Sequence, residues 1–496
     1  MENQKFAPLS TRYRNTLSLS RLPRVDGVKP ELSGRITVLS NRGPMRVQDG
    51  AWVPSSGGLV TALDPLLRAR RGTWISGKEE SEPSALPDLG YQQRLVALSE
   101  EVQAGFYSGF SNGVLWPTLH GFPAIGQIDE APWDDYEAAN RAFADATLEL
   151  TQDGDTVWVH DYHLMRTPLF LRQANPSLRI GWFCHIPWPD ADQFAVMPWR
   201  SLLLEGVLAS DLVGFHSARY ASHFLECAEE FAGARIDPET GHATTATTTT
   251  QVIVAPIGIP TKDVRALVES EPVRKLEREI RRVVHGRRII LGVDRLDYTK
   301  GIPERLSAFE RLLEQSPNLV DEVVFVQVVV PSRETVAAYA DLKDNLDRLV
   351  GRINGQFSHT GRIPVHYLFQ SLTAEELYAH YRAADVALVT PLRDGMNLVA
   401  LEYIQSRVNE DGALILSEFA GAAEHLQSAF LVNPYNIDGL ASTLTQALQT
   451  PNDELKKRMR HLRQAVAGLD VHEWADRFLR QLAACDAHPA IREVHA

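Results

Sequence analysis

The sequence predicts an α/β protein made of two doubly wound, parallel-sheet domains. Three observations carry that reading. Short, nearly unbroken apolar runs rich in β-branched residues recur along the chain, as expected of strands buried on both faces of a parallel sheet. Amphipathic helical stretches separate them, and that alternation defines a parallel α/β sheet. The runs fall into two series, one on each side of Pro256–Pro260.

The first series is Ile36–Ser40, Thr156–His160, Arg179–Cys184, Leu212–Phe215 and Val252–Pro256. The second is Arg288–Val293, Glu322–Val330, Val386–Thr390 and Ala413–Ser417. Pro303–Gln315 is the clearest helix: Pro303 suits its first turn, and Leu306, Phe309 and Leu313 share one face. Thr244–Thr250 is almost all threonine and reads as a surface loop or irregular hairpin. Trp474, Phe478 and Leu482 recur at helical spacing, in a helix expected over 471–486 that packs back on the first domain. The predicted organisation is a tail over 1–34, a first domain over 35–258 and a second over 259–470. The tail lacks acids from Lys5 to Arg24 and carries Arg12, Arg14, Arg21 and Arg24 among serines. A disordered or loosely docked basic tail is expected there, with a transit peptide as the alternative.

Composition supports two large domains. The chain has 496 residues, 44% hydrophobic and 23% charged, which is ordinary globular usage. A net charge of -13 argues against nucleic acid as a partner, because phosphate backbones need a basic footprint. Three distant cysteines, Cys184, Cys227 and Cys485, form no CxxC pair, which fits a reducing compartment without a structural zinc. No apolar run approaches the roughly 18 residues of a membrane span. A cytoplasmic protein is expected, with no membrane partner; self-association into a homo-oligomer is left open.

In open α/β sheets, ligands sit beyond the carboxyl ends of the strands. After Arg288–Val293 come Arg295 and Lys300, ahead of a helix whose amino end adds positive charge. That loop suits a diphosphate; it equally suits a surface turn whose cations pair with Asp294 and Asp297. After Val386–Thr390 come Asp394, Gly395, Met396, Asn397, Leu398 and Val399, opening a helix that holds Glu402. Gly395 admits close backbone approach, the first helical amides are free donors, and Asp394 can accept hydrogens from sugar hydroxyls. Other strand ends carry Arg42, Asp161, His185 and Arg333, with Gly57 and Gly58 a little beyond the first. His160 and His163 form an HxxH pair with no natural third ligand, so no metal site is assigned. Gly72–Lys78 has P-loop spacing, but Glu79 stands where magnesium binding needs Ser or Thr. No GxGxxG follows a strand, which argues against a nicotinamide cofactor.

Read together, the loops form an ordered set: Ser40–Pro44 (SNRGP), Gly57–Leu59, Phe110–Asn112 through Leu115–Pro117, His160–His163 (HDYH), His185–Pro187, Arg295–Gly301 (RLDYTKG), Arg352–Gly355 and Thr390–Val399 (TPLRDGMNLV). This set strongly resembles the trehalose-6-phosphate synthase family of retaining glycosyltransferases, from Arg35 to Leu482. The resemblance implies a GT-B architecture, two Rossmann-like domains facing across a cleft. It implies transfer of glucose, with retention, from UDP-glucose or GDP-glucose to glucose 6-phosphate, giving trehalose 6-phosphate. Arg295 and Lys300 then form the diphosphate clamp, Asp394–Val399 the donor loop, Glu402 the ribose ligand, and Gly57 and Gly58 approach the diphosphate. His185 neighbours the donor glucose. Arg42, Tyr107, Trp116, Asp161 and Arg333 form the acceptor site, with Arg42, Tyr107 and Arg333 near the 6-phosphate. Arg295, Lys300, Asp161, His185 and Asp394 are the expected catalytic set.

A cationic clamp stabilises charge growing on the departing diphosphate, so neither metal nor cofactor is expected. Base recognition through backbone groups leaves little trace in side chains, so the donor base stays open. Two departures from the family stand out: Leu401 replaces a frequent Lys, and Trp188 replaces a frequent Phe, where it is expected to reshape the acceptor edge. Relatives that make glucosylglycerol phosphate, or that act as pseudo-glycosyltransferases, share fold and donor; Pro331-Ser332-Arg333 favours glucose 6-phosphate. A non-catalytic sugar-phosphate sensor is expected to have lost clamp residues, and here they are all present.

Overall fold

Residues 34–48, 50–55, 58–78, 86–126, 128–332 and 337–485 are described by the computed structural model. Gly57, Arg333 and the predicted tail, apart from Gly34, lie outside them. The chain divides into two units, Met1–Pro256 with His472–Ala496, and Ile257–Val471.

The first unit is built on β1 (Ile36–Ser40), the hairpin β2 (Met45–Gln48) and β3 (Ala51–Pro54), β4 (Thr73–Gly77), β5 (Gln92–Val96), β6 (Thr156–His160), β7 (Arg179–Phe183), β8 (Leu212–Phe215), β9 (Arg235–Asp237), β10 (His242–Thr244) and β11 (Thr249–Val254). Its main sheet runs β5-β4-β1-β6-β7-β8-β11-β10-β9, parallel as far as β11 and antiparallel beyond. The order reverses between β1 and β6, so the topological switch point lies there. The threonine-rich stretch is the hairpin joining β10 to β11, with Ala243 opposite Thr250.

Two strands of this sheet carry glycines where side chains would ordinarily pack. A Cβ on Gly181 of β7 would lie 2.8 Å from Phe478, and one on Gly214 of β8 2.9 Å from it. These glycines seat Phe478 of the C-terminal helix Val471–Ala484 against the sheet. Its ring stacks on Trp158 at 4.5 Å, and Trp474 Nε1 donates to the Ala255 carbonyl at 3.1 Å. The helix thus returns to the first unit, and its aromatic face faces the underside of β6–β8.

The second unit contains β12 (Arg288–Arg295), β13 (Val323–Val330), β14 (Val365–Phe369), β15 (Val386–Val389), β16 (Ala413–Ser417) and β17 (Phe430–Val432). The sheet order is β14-β13-β12-β15-β16-β17, all parallel, with its switch point between β12 and β15. Helix Ile302–Gln315 covers one face, burying Ile302, Leu306, Phe309, Leu312 and Leu313 against Ile290, Phe325 and Leu388. Gly301 precedes it with φ +64°, and a Cβ there would lie 2.3 Å from the Thr390 carbonyl oxygen, so only glycine lets the two loops meet.

Besides the hairpin β2–β3 and the antiparallel β9 and β10, strands β4, β5, β14 and β17 have no counterpart in the predicted series, for separable reasons. β5, β14 and β17 are edge strands: β5 is polar and half-exposed, β14 holds His366, and β17 is three residues long. β4 is central, and it is the segment with P-loop spacing; paired with β1 and β5, it is a strand rather than a phosphate loop. Trp188 is fully buried, packed against Phe194, Phe215 and Phe224, so it belongs to the core. Leu401 is equally buried. Among the described residues no helix is long and apolar enough to cross a membrane.

Candidate active site

Both switch points carry the residues singled out from the sequence. In the second unit, Arg295 ends β12 with its side chain exposed, and it forms no ion pair with a described residue. Lys300 closes the short turn Tyr298–Lys300, and its Nζ lies 2.6 Å from Asp394 Oδ2. Asn397 Nδ2 donates to the same oxygen at 3.0 Å. Asp394 is held from behind, because Gly421 N–H donates to its carbonyl at 3.2 Å. Of the two carboxylates that might have neutralised the loop, Asp294 is engaged by Arg305 at 2.6 Å, and Asp297 accepts from the Thr299 amide at 3.0 Å.

Arg305 was not foreseen. It is fully buried and ties four segments together. Nη1 donates to Asp294 Oδ2 (2.6 Å) and Gln327 Oε1 (3.3 Å), Nε to Thr390 Oγ1 (3.1 Å), and Nη2 to the Lys300 carbonyl (3.1 Å). The ends of β12 and β15 and the turn bearing Lys300 are therefore fixed to one guanidinium. Burial pushes the Asp294 carboxyl upward, with Arg305 and Lys300 pulling it back. The sequence held a signal for this: Ile302, Arg305, Leu306 and Phe309 follow helical spacing, so Arg305 falls on the buried face.

Gly395 and Met396 are buried behind the loop. Asn397 adopts φ +74°, a strained conformation for a non-glycine residue, and caps helix Leu398–Ser406 without a side-chain bond to its amides. The first-turn amides, beginning at Leu398 and Val399, therefore stay available as donors. In the second turn, Glu402 Oε2 accepts from Tyr381 Oη at 3.0 Å. Burial pushes the Glu402 carboxyl up to about 7.

At the switch point of the first unit, Arg42 follows β1 and its Nη2 donates to Tyr107 Oη at 3.0 Å. Tyr107 lies on the π-helical segment Ala104–Leu115, which leads directly into Trp116. The Tyr107 ring stacks on His163 at 5.9 Å, His163 contacts Tyr162 at 3.9 Å, and Tyr162 lies 5.7 Å from Trp116. Asn112, between Tyr107 and Trp116 in sequence, accepts from Tyr162 Oη at 2.9 Å and donates to the Tyr107 carbonyl at 2.9 Å. Asp161 follows β6 with φ 73° and ψ 172°, a region nearly reserved for glycine. Its Oδ1 accepts the His185 backbone N–H at 3.2 Å. Helix Gly58–Arg70 begins at Gly58.

His160 and His163 do not converge: His160 Nδ1 lies 3.1 Å from His185 Nε2, whereas His163 stacks on Tyr107. No group of three metal-ligating side chains occurs among the described residues.

An exposed arginine and a lysine–carboxylate pair thus stand at the switch point of a doubly wound sheet, where ligands of such sheets bind. The model of glycosyltransferase family 20 matches residues 32–484, and the chain belongs to that family. The trehalose-6-phosphate synthase of Mycolicibacterium smegmatis is 43% identical over 462 residues, covering 90% of this chain and 92% of that protein. That of Mycobacterium sp. (strain KMS) is 44% identical over 461 residues, covering 90% and 94%. The Escherichia coli structure bound with UDP-2-fluoro glucose superposes with a TM-score of 0.84 at 34% identity, covering 91% of this chain and 99% of that one. The α,α-trehalose-phosphate synthase (UDP-forming) from Burkholderia xenovorans in complex with glucose-6-phosphate gives 0.84 at 34% identity, covering 90% and 100%. The fold class is accordingly GT-B.

Proposed function

We propose that this glycosyltransferase is an α,α-trehalose-phosphate synthase, moving glucose with retention from UDP-glucose, or GDP-glucose, to glucose 6-phosphate. The observation that carries the reading is the β12/β15 switch point, where the exposed Arg295, without an ion pair among the described residues, stands on the loop of the Lys300–Asp394 pair at 2.6 Å. In the proposed roles, Arg295 and Lys300 hold the diphosphate and stabilise the charge that grows on it as the glycosidic bond breaks. Asp394 and the amides from Gly395 to Val399 orient the glucose and its phosphate, with Gly57 and Gly58 against the diphosphate. Glu402 takes the ribose hydroxyls. On the acceptor side, Arg42, Tyr107 and Arg333 take the 6-phosphate, and Trp116 and Asp161 the sugar. The names of the curated relatives, and the ligands of the two solved structures, support the same donor and acceptor classes.

The clamp supplies its positive charge from side chains, so the reaction is expected to proceed without a divalent metal. The test is to incubate the full chain with UDP-, GDP- and ADP-glucose against glucose 6-phosphate and glycerol 3-phosphate, with and without EDTA, and to identify the product and its anomeric configuration. A 1,1-linked α,α-disaccharide phosphate, formed equally in EDTA, is expected. A product only with glycerol 3-phosphate, or none with any pair, would refute the acceptor assignment.

A further inference from the structure

We propose that Tyr381 is a positioning residue for the nucleotide donor: its phenol holds the Glu402 carboxylate in the orientation that meets the ribose hydroxyls. This role depends on Glu402 being the ribose ligand, as proposed above. Tyr381 Oη donates to Glu402 Oε2 at 3.0 Å. The two residues come from different helices, Ala374–Ala383 and Leu398–Ser406, which precede and follow β15 in the chain. Helical side chains lean toward the amino end, and Glu402 lies four residues after Leu398 on the same face. Its carboxylate therefore leans toward the amides that open that helix beside the Lys300–Asp394 pair.

The direction of the bond follows from the two groups. Burial, joined by the nearby Glu402 charge, pushes the Tyr381 phenol well above its ordinary value, so it keeps its proton. An ionised carboxylate can only accept. Burial pushes the Glu402 carboxyl up to about 7, and the Tyr381 bond pulls it back toward the charged form. Glu402 forms no ion pair with an Arg or Lys among the described residues. Its charge is steadied by a neutral donor and stays available to neutral hydroxyls, whereas the Asp394 carboxylate shares its charge with Lys300.

Tyr381 is itself held in place. It is fully buried, while Glu402 is only partly so. Its ring meets that of Tyr378 edge-on, with centroids 5.6 Å apart and planes at 79°. Arg407 Nη1 donates to its backbone carbonyl at 3.1 Å. A phenol fixed in this way gives the flexible glutamate one preferred orientation, which spares the ordering cost when a nucleotide arrives. A carboxylate that accepts once at Oε2 keeps Oε1 and further lone pairs for a vicinal diol. The ribose 2′- and 3′-hydroxyls are such a diol, and every ribonucleotide sugar carries them. Tyr381 therefore serves donor affinity without selecting the base.

The test titrates the full chain calorimetrically with UDP and GDP, and with their 2′,3′-dideoxy forms, at about pH 8, where Glu402 is ionised. Wild type is expected to prefer the ribonucleotide, and Glu402→Ala to remove that preference. Tyr381→Phe keeps the ring and removes the donor. It is expected to weaken the ribonucleotide roughly tenfold, the scale of one hydrogen bond to a charged group, and to leave the dideoxy nucleotide unchanged. Donor KM should rise by the same factor, with kcat at saturating donor unchanged. In the Glu402→Ala background the same substitution should cost nothing further. A folded Tyr381→Phe that weakens both nucleotides equally shows a structural role only and overturns the proposal, as does one that binds both like wild type. Tyr381→Leu, read in the same way, decides should the phenylalanine variant not fold. A wild type indifferent to the missing hydroxyls, or a Glu402→Ala that keeps the preference, instead removes Glu402 from the ribose and Tyr381 with it. Binding of neither nucleotide refutes the proposed function itself.

Discussion

The two switch points solve the same problem with opposite materials. In the second unit, the β12/β15 end is organised by ions: Arg305 against Asp294 at 2.6 Å, and Lys300 against Asp394 at 2.6 Å. In the first, the β1/β6 end is organised by stacked rings, and its one predicted cation there, Arg42, is steadied by the Tyr107 phenol at 3.0 Å. A cation held by a neutral oxygen keeps its full attraction for an incoming anion. One held by a carboxylate must first share or exchange that partner. The first arrangement suits capture of a free phosphate ester. The second suits a site where charge grows during reaction and an already ordered pair responds without reorganisation.

The sharpest way to break the ionic half is Arg305→Met. It strands Asp294 in the core, which costs about 3–5 kcal/mol for a buried pair broken on one side. Denaturant unfolding should show a loss of that size, and a loss below 1 kcal/mol would mean the guanidinium is not what holds these loops. Arg295→Ala tests the exposed cation that no described residue neutralises. Turnover should fall by roughly 10²–10³-fold with stability unchanged; an unaltered kcat would remove Arg295 from the clamp.

The neutral half predicts a smaller effect. Tyr107→Phe removes one hydrogen bond to Arg42 while keeping the stacked ring. A bond of about 1 kcal/mol corresponds to roughly fivefold in acceptor KM, with donor KM untouched. Equal rises in both would dissolve the proposed division of labour.

A pH-dependent effect on stability concerns Glu402, whose carboxyl burial raises from an ordinary value near 4.5 to about 7. The folded chain therefore holds this proton more tightly than the unfolded chain. That contribution to stability is fully present below pH 4.5 and is lost as pH rises through 7. Glu402→Gln abolishes this dependence, so Tm of the variant relative to wild type should gain about 2–4 °C between pH 5 and pH 8. A constant difference across that range would show that Glu402 ionises freely.

Much of the fold was legible because buried parallel strands write themselves as apolar runs. β1, β6, β8 and β16 begin and end where those runs do. The edge strands β5, β14 and β17 were not legible, because an edge tolerates polar residues and short length. β4 was obscured by glycines that mimic a phosphate loop. Among candidate site residues, Lys300, Asp394 and Asn397 meet in one cluster, as do Arg42 and Tyr107 in another. Gly57 and Arg333 fall outside the described residues.

By itself, the sequence determined the strand and helix periods, the residues that follow each strand, and, through their order, the family. Those are local or one-dimensional properties, fixed by side-chain type and spacing. Partnership was decided only by the tertiary structure. Whether Lys300 pairs with Asp297 three residues away or Asp394 94 residues away depends on which strands lie adjacent. The sheet order places the ends of β12 and β15 side by side, and no local pattern encodes that adjacency. Likewise the HxxH spacing of HDYH did not reveal its partners: β6 and β7 lie side by side and bring His160 against His185, while His163 stacks on Tyr107.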